Sequence, residues 1–223
     1  FDWIIKRFSN DLQTYGVGIP WKQDAALYVH THKGKSMNEL VSTSLDTSSF
    51  FLSYGIPVSS NFQKVNAIFG NLAWSFNDTE IYNMLSNGLF LDGVSAEILC
   101  KRGFSEYIGI NFKKWINRQE DNYSIEVITS IETGLPKGFY LSANTALNLA
   151  ILEPQKNARE WTKIISPEKK NFGSGIVVFK NKLGGRVVTS AFENPITALP
   201  KCYQRQKIVQ KSIDFLTNNT DVF

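Results

Sequence analysis

Apolar residues in the first part of the chain recur at spacings typical of helices and strands. A helical stripe opens the sequence and consists of Phe1, Ile4, Ile5, Phe8 and Leu12. The aromatic and β-branched run at 25–31 predicts a strand. Two short helices are predicted next, at 36–41 and 46–56, and the second would begin at a cap on Asp46 or Thr47.

The segment from 47 to 103 is predicted to run helix, strand, helix, strand, helix. Its strands are 64–70 and 88–93; a cap at Asn77 or Asp78 begins one helix, and Gly103 closes another. Strands that alternate with helices of this length indicate βαβ units and a parallel sheet. The runs "AIF" and "LFL" are continuously apolar, which is typical of strands covered on both faces.

The pattern changes near residue 123, where closely spaced segments read as strands: YSIEVITS, FYLSAN, LNLAIL and REWTKIIS. A hairpin is predicted over 175–192, with Gly184 and Gly185 supplying positive φ at its turn. The segment 203–219 has an amphipathic face and predicts a closing helix. We therefore expect one α/β domain over 1–223, in which the later strands extend or flank the sheet. Two subdomains are the alternative.

Composition narrows the classes of partner. The net charge of +4 is spread without a long block of Lys or Arg, so we predict no nucleic-acid partner. No apolar run is long enough to predict a membrane span. Cys100 and Cys202 are far apart and outside any CxxC pair, which favours two free thiols over a disulfide, and no motif predicts a metal or another cofactor.

The chain begins at Phe1 with sequence that looks internal, so we expect an excised piece of a longer protein. The region 1–45 would then contain a helix and a strand that link it to a preceding domain. The compartment is not assigned by this sequence.

The stretch from "GIPVSSNFQKVNAIFG" through "LFLDGVSAEIL" to "RGFSEYIGI", with the later "GGRVVTSAF", resembles the class I glutamine-amidotransferase-like fold. More narrowly, it is similar to the flavodoxin-like modules associated with glycoside hydrolases, such as the trimerisation domain of some bacterial β-galactosidases. The resemblance covers most of the chain from about residue 45. It implies a mainly parallel sheet with helices on both faces, plus the C-terminal hairpin and the closing helix. A secreted parent glycosidase would place the chain in the periplasm or outside the cell; a cytoplasmic parent is the alternative.

The corner after the second strand is where amidotransferases place a cysteine nucleophile between two glycines. Here the turn reads Gly93-Val94-Ser95-Ala96-Glu97, with a serine in the nucleophile's place and Glu97 instead of the second glycine. No histidine follows Ser95, since His30 and His32 both lie upstream. The residues themselves favour Ser95 as a helix N-cap, with Glu97 in the first turn near the positive helix end.

We predict no catalytic residue and no metal ligand, but a candidate pocket at the carboxyl edge of the sheet. Its lining would be Asp92, Ser95, Glu97, Trp74 and Glu106. Asp92 is alternatively a turn residue that bonds its own backbone. The aromatic side chains considered for sugar stacking are Trp21, Trp74, Tyr107 and Trp115.

His30 and His32 would share one face of a strand, and as metal ligands they would need a third partner that the sequence does not supply. We therefore expect them to be a surface pair at a strand end.

The hypothesis that results is a non-catalytic module of a larger carbohydrate-active protein, with a structural or oligomerisation role. Its partners would be other domains of the parent, a second copy of the chain, or a carbohydrate. Two alternatives stay open. One is a small-ligand or sugar-binding module, and the other is a hydrolase that uses Ser95 or Cys100, with His30 or His32 as base.

Overall fold

The computed structural model describes residues 16–144, 146–195 and 202–217. A nine-stranded sheet lies at its centre. The strands of this sheet are β1 (Val17–Gly18), β2 (Val58–Ser59), β3 (Val65–Ile68), β4 (Gly88–Leu91), β6 (Ile125–Ile128), β7 (Tyr140–Ser142), β9 (Arg159–Ile165), β10 (Asn171–Lys180) and β11 (Arg186–Ser190). Two further strands, β5 (Ile110–Asn117) and β8 (Asn148–Pro154), form a separate antiparallel pair.

The described residues form seven α-helices and two 3-10 turns. The helices are α1 (Gln23–Lys33), α2 (Met37–Ser53), α3 (Asp78–Leu85), α4 (Gly93–Lys101), α5 (Ser105–Ile108), α6 (Arg118–Asp121) and α7 (Tyr203–Thr217). The 3-10 turns are Gly70–Ser75 and Ile131–Thr133. The helix predicted over the first 15 residues lies outside the described residues and stays a prediction.

The α/β class is confirmed, but the sheet is mixed, with a parallel part and an antiparallel part, where a mainly parallel, flavodoxin-like sheet was predicted. Its strands follow the order β2-β1-β3-β4-β11-β10-β9-β6-β7. The pairs from β2 to β11 are parallel, and those from β11 to β7 are antiparallel. The short turn between β10 and β11 allows only antiparallel pairing of these two strands, and β10 carries that direction change into the second half of the sheet.

Both faces of the sheet are covered, as predicted. Leu89 and Leu91 of β4 belong to one apolar cluster while Phe90 belongs to the other, as expected from side chains that alternate along a strand. Helices α1, α3 and α4 and the strand pair β5–β8 contribute to the first cluster. The C-terminal half of α2 and helix α7 contribute to the second.

The strand predicted at 25–31 is wrong, because these residues belong to helix α1. Ala26 and Val29, three positions apart, are buried, whereas Leu27 and Tyr28 between them are about half exposed. This burial has the period of a helix and not the two-residue period of a strand. The helix ends at Gly34, which has a φ of 65°.

The two short helices predicted at 36–41 and 46–56 form the single helix α2. A cap at Asp46 or Thr47 is therefore wrong. The Thr47 hydroxyl donates to the Thr43 carbonyl one turn earlier, at 2.6 Å. This bond satisfies the hydroxyl inside the helix, so the residue does not interrupt it.

Other local predictions are confirmed. Asn77 caps α3, and Gly103, with a φ of 87°, follows α4. The hairpin of β10 and β11 and the closing helix α7 are present. At the hairpin turn, Gly184 has a φ of 86°, but Gly185 is not among the glycines with positive φ. A Cβ at position 185 would instead lie 2.0 Å from the Leu85 carbonyl oxygen, so close packing requires this glycine.

Candidate functional site

The corner between β4 and α4 is closed by Asp92 as the N-cap, which corrects the expectation that Ser95 caps this helix. Asp92 Oδ1 accepts from the Ser95 amide at 2.8 Å, and Ser95 Oγ accepts from the Asp92 amide at 3.1 Å. The two residues therefore form a reciprocal capping box. Ser95, at the nucleophile's place, lies within α4 and is not among the non-glycine residues with positive φ, so it lacks the strain of a nucleophile elbow.

The Ser95 hydroxyl is buried and engaged. It donates to Asp92 Oδ1 at 2.7 Å, and the residue has no exposed surface. A hydroxyl held in this way serves the helix end and does not face a cavity.

Gly93 is the first residue of α4, whereas the sequence suggested a separate turn at this position. Its amide donates to the Phe192 carbonyl at 2.9 Å. A Cβ here would lie 2.7 Å from the Ala191 carbonyl oxygen and 3.0 Å from the Trp115 ring. Close packing of the corner against the segment after β11 therefore requires glycine at this position.

Asp92 is buried at the carboxyl ends of neighbouring strands. Its second oxygen, Oδ2, accepts from the amide of Gly70, two residues after the end of β3, at 2.9 Å. Burial raises the pKa of this carboxyl to about 7, even though the donors from Ser95 and Gly70 oppose the shift. The Asp92 side chain thus joins the ends of β3 and β4 through hydrogen bonds.

A cavity of about 390 Å³ opens beside Asp92, at the edge where open α/β sheets bind ligands. Its lining is acidic, with Glu39, Asp46 and Glu193 in addition to Asp92. The side chain of Glu39 accepts from Asn71 Nδ2 at 2.7 Å. Among the described residues that line it, none carries a positive charge.

The predicted pocket residues do not share one site. Glu97 accepts from Trp115 Nε1 at 2.8 Å and pairs with Lys101 at 2.7 Å, away from the lining of the acidic cavity. Glu106 is exposed and pairs with Lys182 at 3.1 Å. The carboxylates considered together in the sequence therefore have three separate surroundings.

Trp74 lines a different and larger cavity of about 990 Å³, between α1, the Gly70–Ser75 turn and α3. We call it the Trp74 cavity. The residues that line it are Lys22, Gln23, Asp24, Ala25, Tyr28, Lys33, Trp74, Ser75, Phe76, Asn77, Glu80 and Arg102. Of the other candidate aromatic residues, Trp21 lines a third cavity, and Tyr107 and Trp115 pack against the core.

The histidines lie on α1 and not at a strand end. His30 Nδ1 is 2.7 Å from the Lys35 carbonyl oxygen, and the His32 ring stacks on Tyr28 at 4.3 Å. Both residues are exposed, whereas Ser95 is buried. No group of three potential metal ligands occurs within the part of the chain that the structure describes.

The cysteines are both free thiols, in agreement with the interpretation of their spacing. Cys100 lies on α4, and its thiol is 3.6 Å from the Ile110 carbonyl oxygen. Burial raises the pKa of this thiol, so the unreactive protonated form is favoured.

Sequence reasoning missed Gly70, Glu193 and Lys33. Gly70 carried a usable signal, since it follows β3 as Asp92 follows β4, and ends of adjacent parallel strands meet at one edge. Glu193 follows β11, whose place beside β4 is not readable from local pattern. Lys33 was missed because α1 was assigned as a strand.

No known protein family matches the chain, and no curated protein matches it. Within 16–144, 146–195 and 202–217, no helix is long and apolar enough to span a membrane. Solved structures do match.

A cytoplasmic protein from Salmonella typhimurium shares 12% identity, covers 69% of this chain and 72% of its own, and has a TM-score of 0.52. An α-L-fucosidase, isoenzyme 2 from Paenibacillus thiaminolyticus, shares 10% identity over 78% of this chain, with a TM-score of 0.53. A GH42 β-galactosidase from G. stearothermophilus shares 10% identity over 89% of this chain, also at 0.53. The chain spans only 29% of the length of each of these two enzymes. At such identities the matches show a shared α/β fold, which also occurs within glycoside hydrolases.

Proposed function

We propose that this chain is a non-catalytic, amidotransferase-like module of a larger carbohydrate-active protein, with a structural or oligomerisation role. One observation carries the proposal: the corner at Asp92 and Ser95 is closed by a buried capping box. The position where related folds would hold a nucleophile serves to begin a helix.

This corner lacks a histidine base and an open oxyanion site. A serine hydroxyl is a weak nucleophile at neutral pH unless an adjacent base accepts its proton. The hydrogen-bond partner of the Ser95 hydroxyl is the Asp92 carboxylate, while both histidines are exposed on α1. The positive end of α4, which could stabilise an oxyanion, already binds that carboxylate.

The link to carbohydrate-active proteins draws support from the structural matches. In the fucosidase and the β-galactosidase the matching fold is one part of a much longer chain. The five parallel strands from β2 to β11, with helices on both faces, support the amidotransferase-like assignment. The antiparallel strands then extend this unit.

The test of the non-catalytic role uses the 223-residue chain with chromogenic glycosides, p-nitrophenyl esters and glutamine. We expect no turnover, and no labelling of Ser95 by a fluorophosphonate probe. Ser86→Ala, on the exposed surface next to α3, is the control for Ser95→Ala. Turnover that Ser95→Ala abolishes and Ser86→Ala retains would contradict the proposal.

The test of the parent protein is the complete natural polypeptide. We expect a carbohydrate-active catalytic domain on the same chain. Deleting residues 16–217 from it should change the mass of the assembly or its thermal stability, measured by light scattering and calorimetry. A complete polypeptide without any carbohydrate-active domain would refute this part of the proposal.

A further inference from the structure

We propose that the Trp74 cavity binds an acidic oligosaccharide, with a uronate carboxylate on Lys33 and the apolar face of a pyranose ring on Trp74. The site is separate from the closed corner at Asp92, and it would give the module a binding role beyond the structural one.

The cavity has the size and the aromatic wall of a ligand site. Its volume of about 990 Å³ is at the upper end of the range usual for small-molecule pockets. Trp74 is half-buried and packs against the main apolar cluster, which holds its ring in place, and Phe76 beside it is buried. A rigid, partly exposed indole provides a flat apolar surface of the kind that stacks on a ring.

The charges favour a ligand with a carboxylate at the Lys33 end of the cavity. Lys22 pairs with Glu80, and Arg102 pairs with Asp78 and donates to a backbone carbonyl. Lys33 has no carboxylate partner among the described residues. Its ammonium lies 4.4 Å from the centroid of the Trp74 ring. One available cation matches the charge of one carboxylate, with which it can form a charge-assisted hydrogen bond.

The polar groups favour a ligand rich in hydroxyls. Asp24 in the first turn of α1 also lines the cavity and is exposed, and Gln23 lies beside it. Lys33 lies nine positions after Asp24, which is about 14 Å along the helix. The cavity thus has a cation at one end and hydroxyl acceptors at the other, which fits an elongated saccharide with an acidic residue at the Lys33 end.

Ser75 lies at the wall of the cavity and is nine-tenths buried. Its hydroxyl has almost no exposed surface and no hydrogen-bond partner among the described residues. A buried hydroxyl without a partner is costly, and a rotation of the side chain toward the cavity would let a ligand hydroxyl satisfy it. When the ligand carboxylate draws the Lys33 ammonium off the indole, the pyranose face takes its place.

The experiment is calorimetric titration of the 223-residue chain with trigalacturonate and with the neutral trigalactose, together with tryptophan fluorescence. We expect trigalacturonate to bind about tenfold or more tightly than the neutral trimer, as a charge-assisted hydrogen bond would provide. Lys33→Ala should remove this preference, and Trp74→Ala should weaken the binding of both sugars. Lys113→Ala, which removes an exposed cation on β5, should change neither.

Three results would overturn the proposal: no binding of trigalacturonate, equal binding of both trimers, or an undiminished preference in Lys33→Ala. Tighter binding of inorganic phosphate or ATP than of trigalacturonate would also overturn it. Trp74→Phe, which keeps an aromatic ring in the core, replaces Trp74→Ala if circular dichroism shows that the alanine variant is unfolded. Failure here is distinguishable from failure of the proposed function, because the turnover test at Ser95 does not involve this cavity.

Discussion

Arg205 of α7 and Glu126 of β6 form an ion pair that is wholly removed from solvent. Glu126 also accepts from the Thr162 hydroxyl at 2.6 Å. The Nε and Nη1 groups of Arg205 have no hydrogen-bond partner among the described residues. The pair therefore ties the closing helix to the antiparallel half of the sheet, and each charge depends on the other for compensation.

Removing one charge should be far more costly than its hydrogen bond alone. We expect Glu126→Gln to lower the free energy of unfolding by about 3–5 kcal/mol, because Arg205 would remain buried without a counter-charge. Urea denaturation measures the change.

The matched control is Glu153→Gln, which breaks the exposed pair of Lys113 and Glu153 at 3.0 Å. An exposed pair contributes about 0–1 kcal/mol, so a small change is expected there. Equal changes in the two variants would show that burial of the Arg205 pair does not matter for stability.

The predicted parts of the fold are those with local causes. The capping box of Asn77 and Glu80 depends only on a stretch of four residues. The turn after α4 at Gly103 likewise depends on residues that are neighbours in the sequence. The direction of β10 relative to β4 is not local, because it depends on β11 being inserted between them. In the region 25–31, aromatic and β-branched content suggested a strand, but the buried positions Ala26 and Val29 follow a helical period.

The candidate site also has features that the local sequence predicts and others that depend on the arrangement of the sheet. Asp92 was readable as a polar residue at a strand end, and its place beside a cavity at that edge matches the general rule for α/β sheets. Its hydrogen bond to Gly70 requires β3 and β4 to be neighbours. That pairing is set by the strand order of the sheet and not by the local sequence around Asp92. The Lys33 contact with Trp74 needs both α1 and the Gly70–Ser75 turn to be correctly assigned.

Gly93→Ala tests whether the corner is as tightly packed as its geometry indicates. The added methyl would meet a backbone carbonyl that cannot easily move, at 2.7 Å. We expect a loss of about 2–3 kcal/mol in the free energy of unfolding, typical of overpacking. Gly34→Ala is the comparison, since its methyl meets nothing within 4 Å and the cost arises only from its φ of 65°. A Gly93 variant as stable as the wild type would show that the corner can open.

Cys100 should react slowly in the folded protein. Because burial raises the pKa of its thiol, little thiolate is present near neutral pH. In a Cys202→Ser background, we expect iodoacetamide to alkylate Cys100 at pH 7.5 more slowly than it alkylates the same variant unfolded in urea. Mass spectrometry follows the reaction. Faster alkylation in the folded protein would revive the hypothesis that Cys100 is a nucleophile.

Asp92 should make stability depend on pH in the direction opposite to most carboxylates. Its pKa rises from an ordinary 3.8 to about 7 on folding, so between these values the folded state binds the proton and the unfolded state does not. The contribution to stability is full below about pH 4 and is lost as the pH rises through 7, a total of about 4 kcal/mol.

Other groups titrate over the same range, so the quantity to measure is the difference in unfolding free energy between wild type and Asp92→Asn from pH 4 to pH 8. We expect the unfolding free energy of the wild type, relative to that of Asp92→Asn, to fall steadily as the pH rises. Asp24→Asn, which removes an exposed carboxyl on α1 by the same substitution, is the control. A difference independent of pH would mean that Asp92 is ionised throughout, and that its hydrogen bonds to Ser95 and Gly70 outweigh the cost of burial.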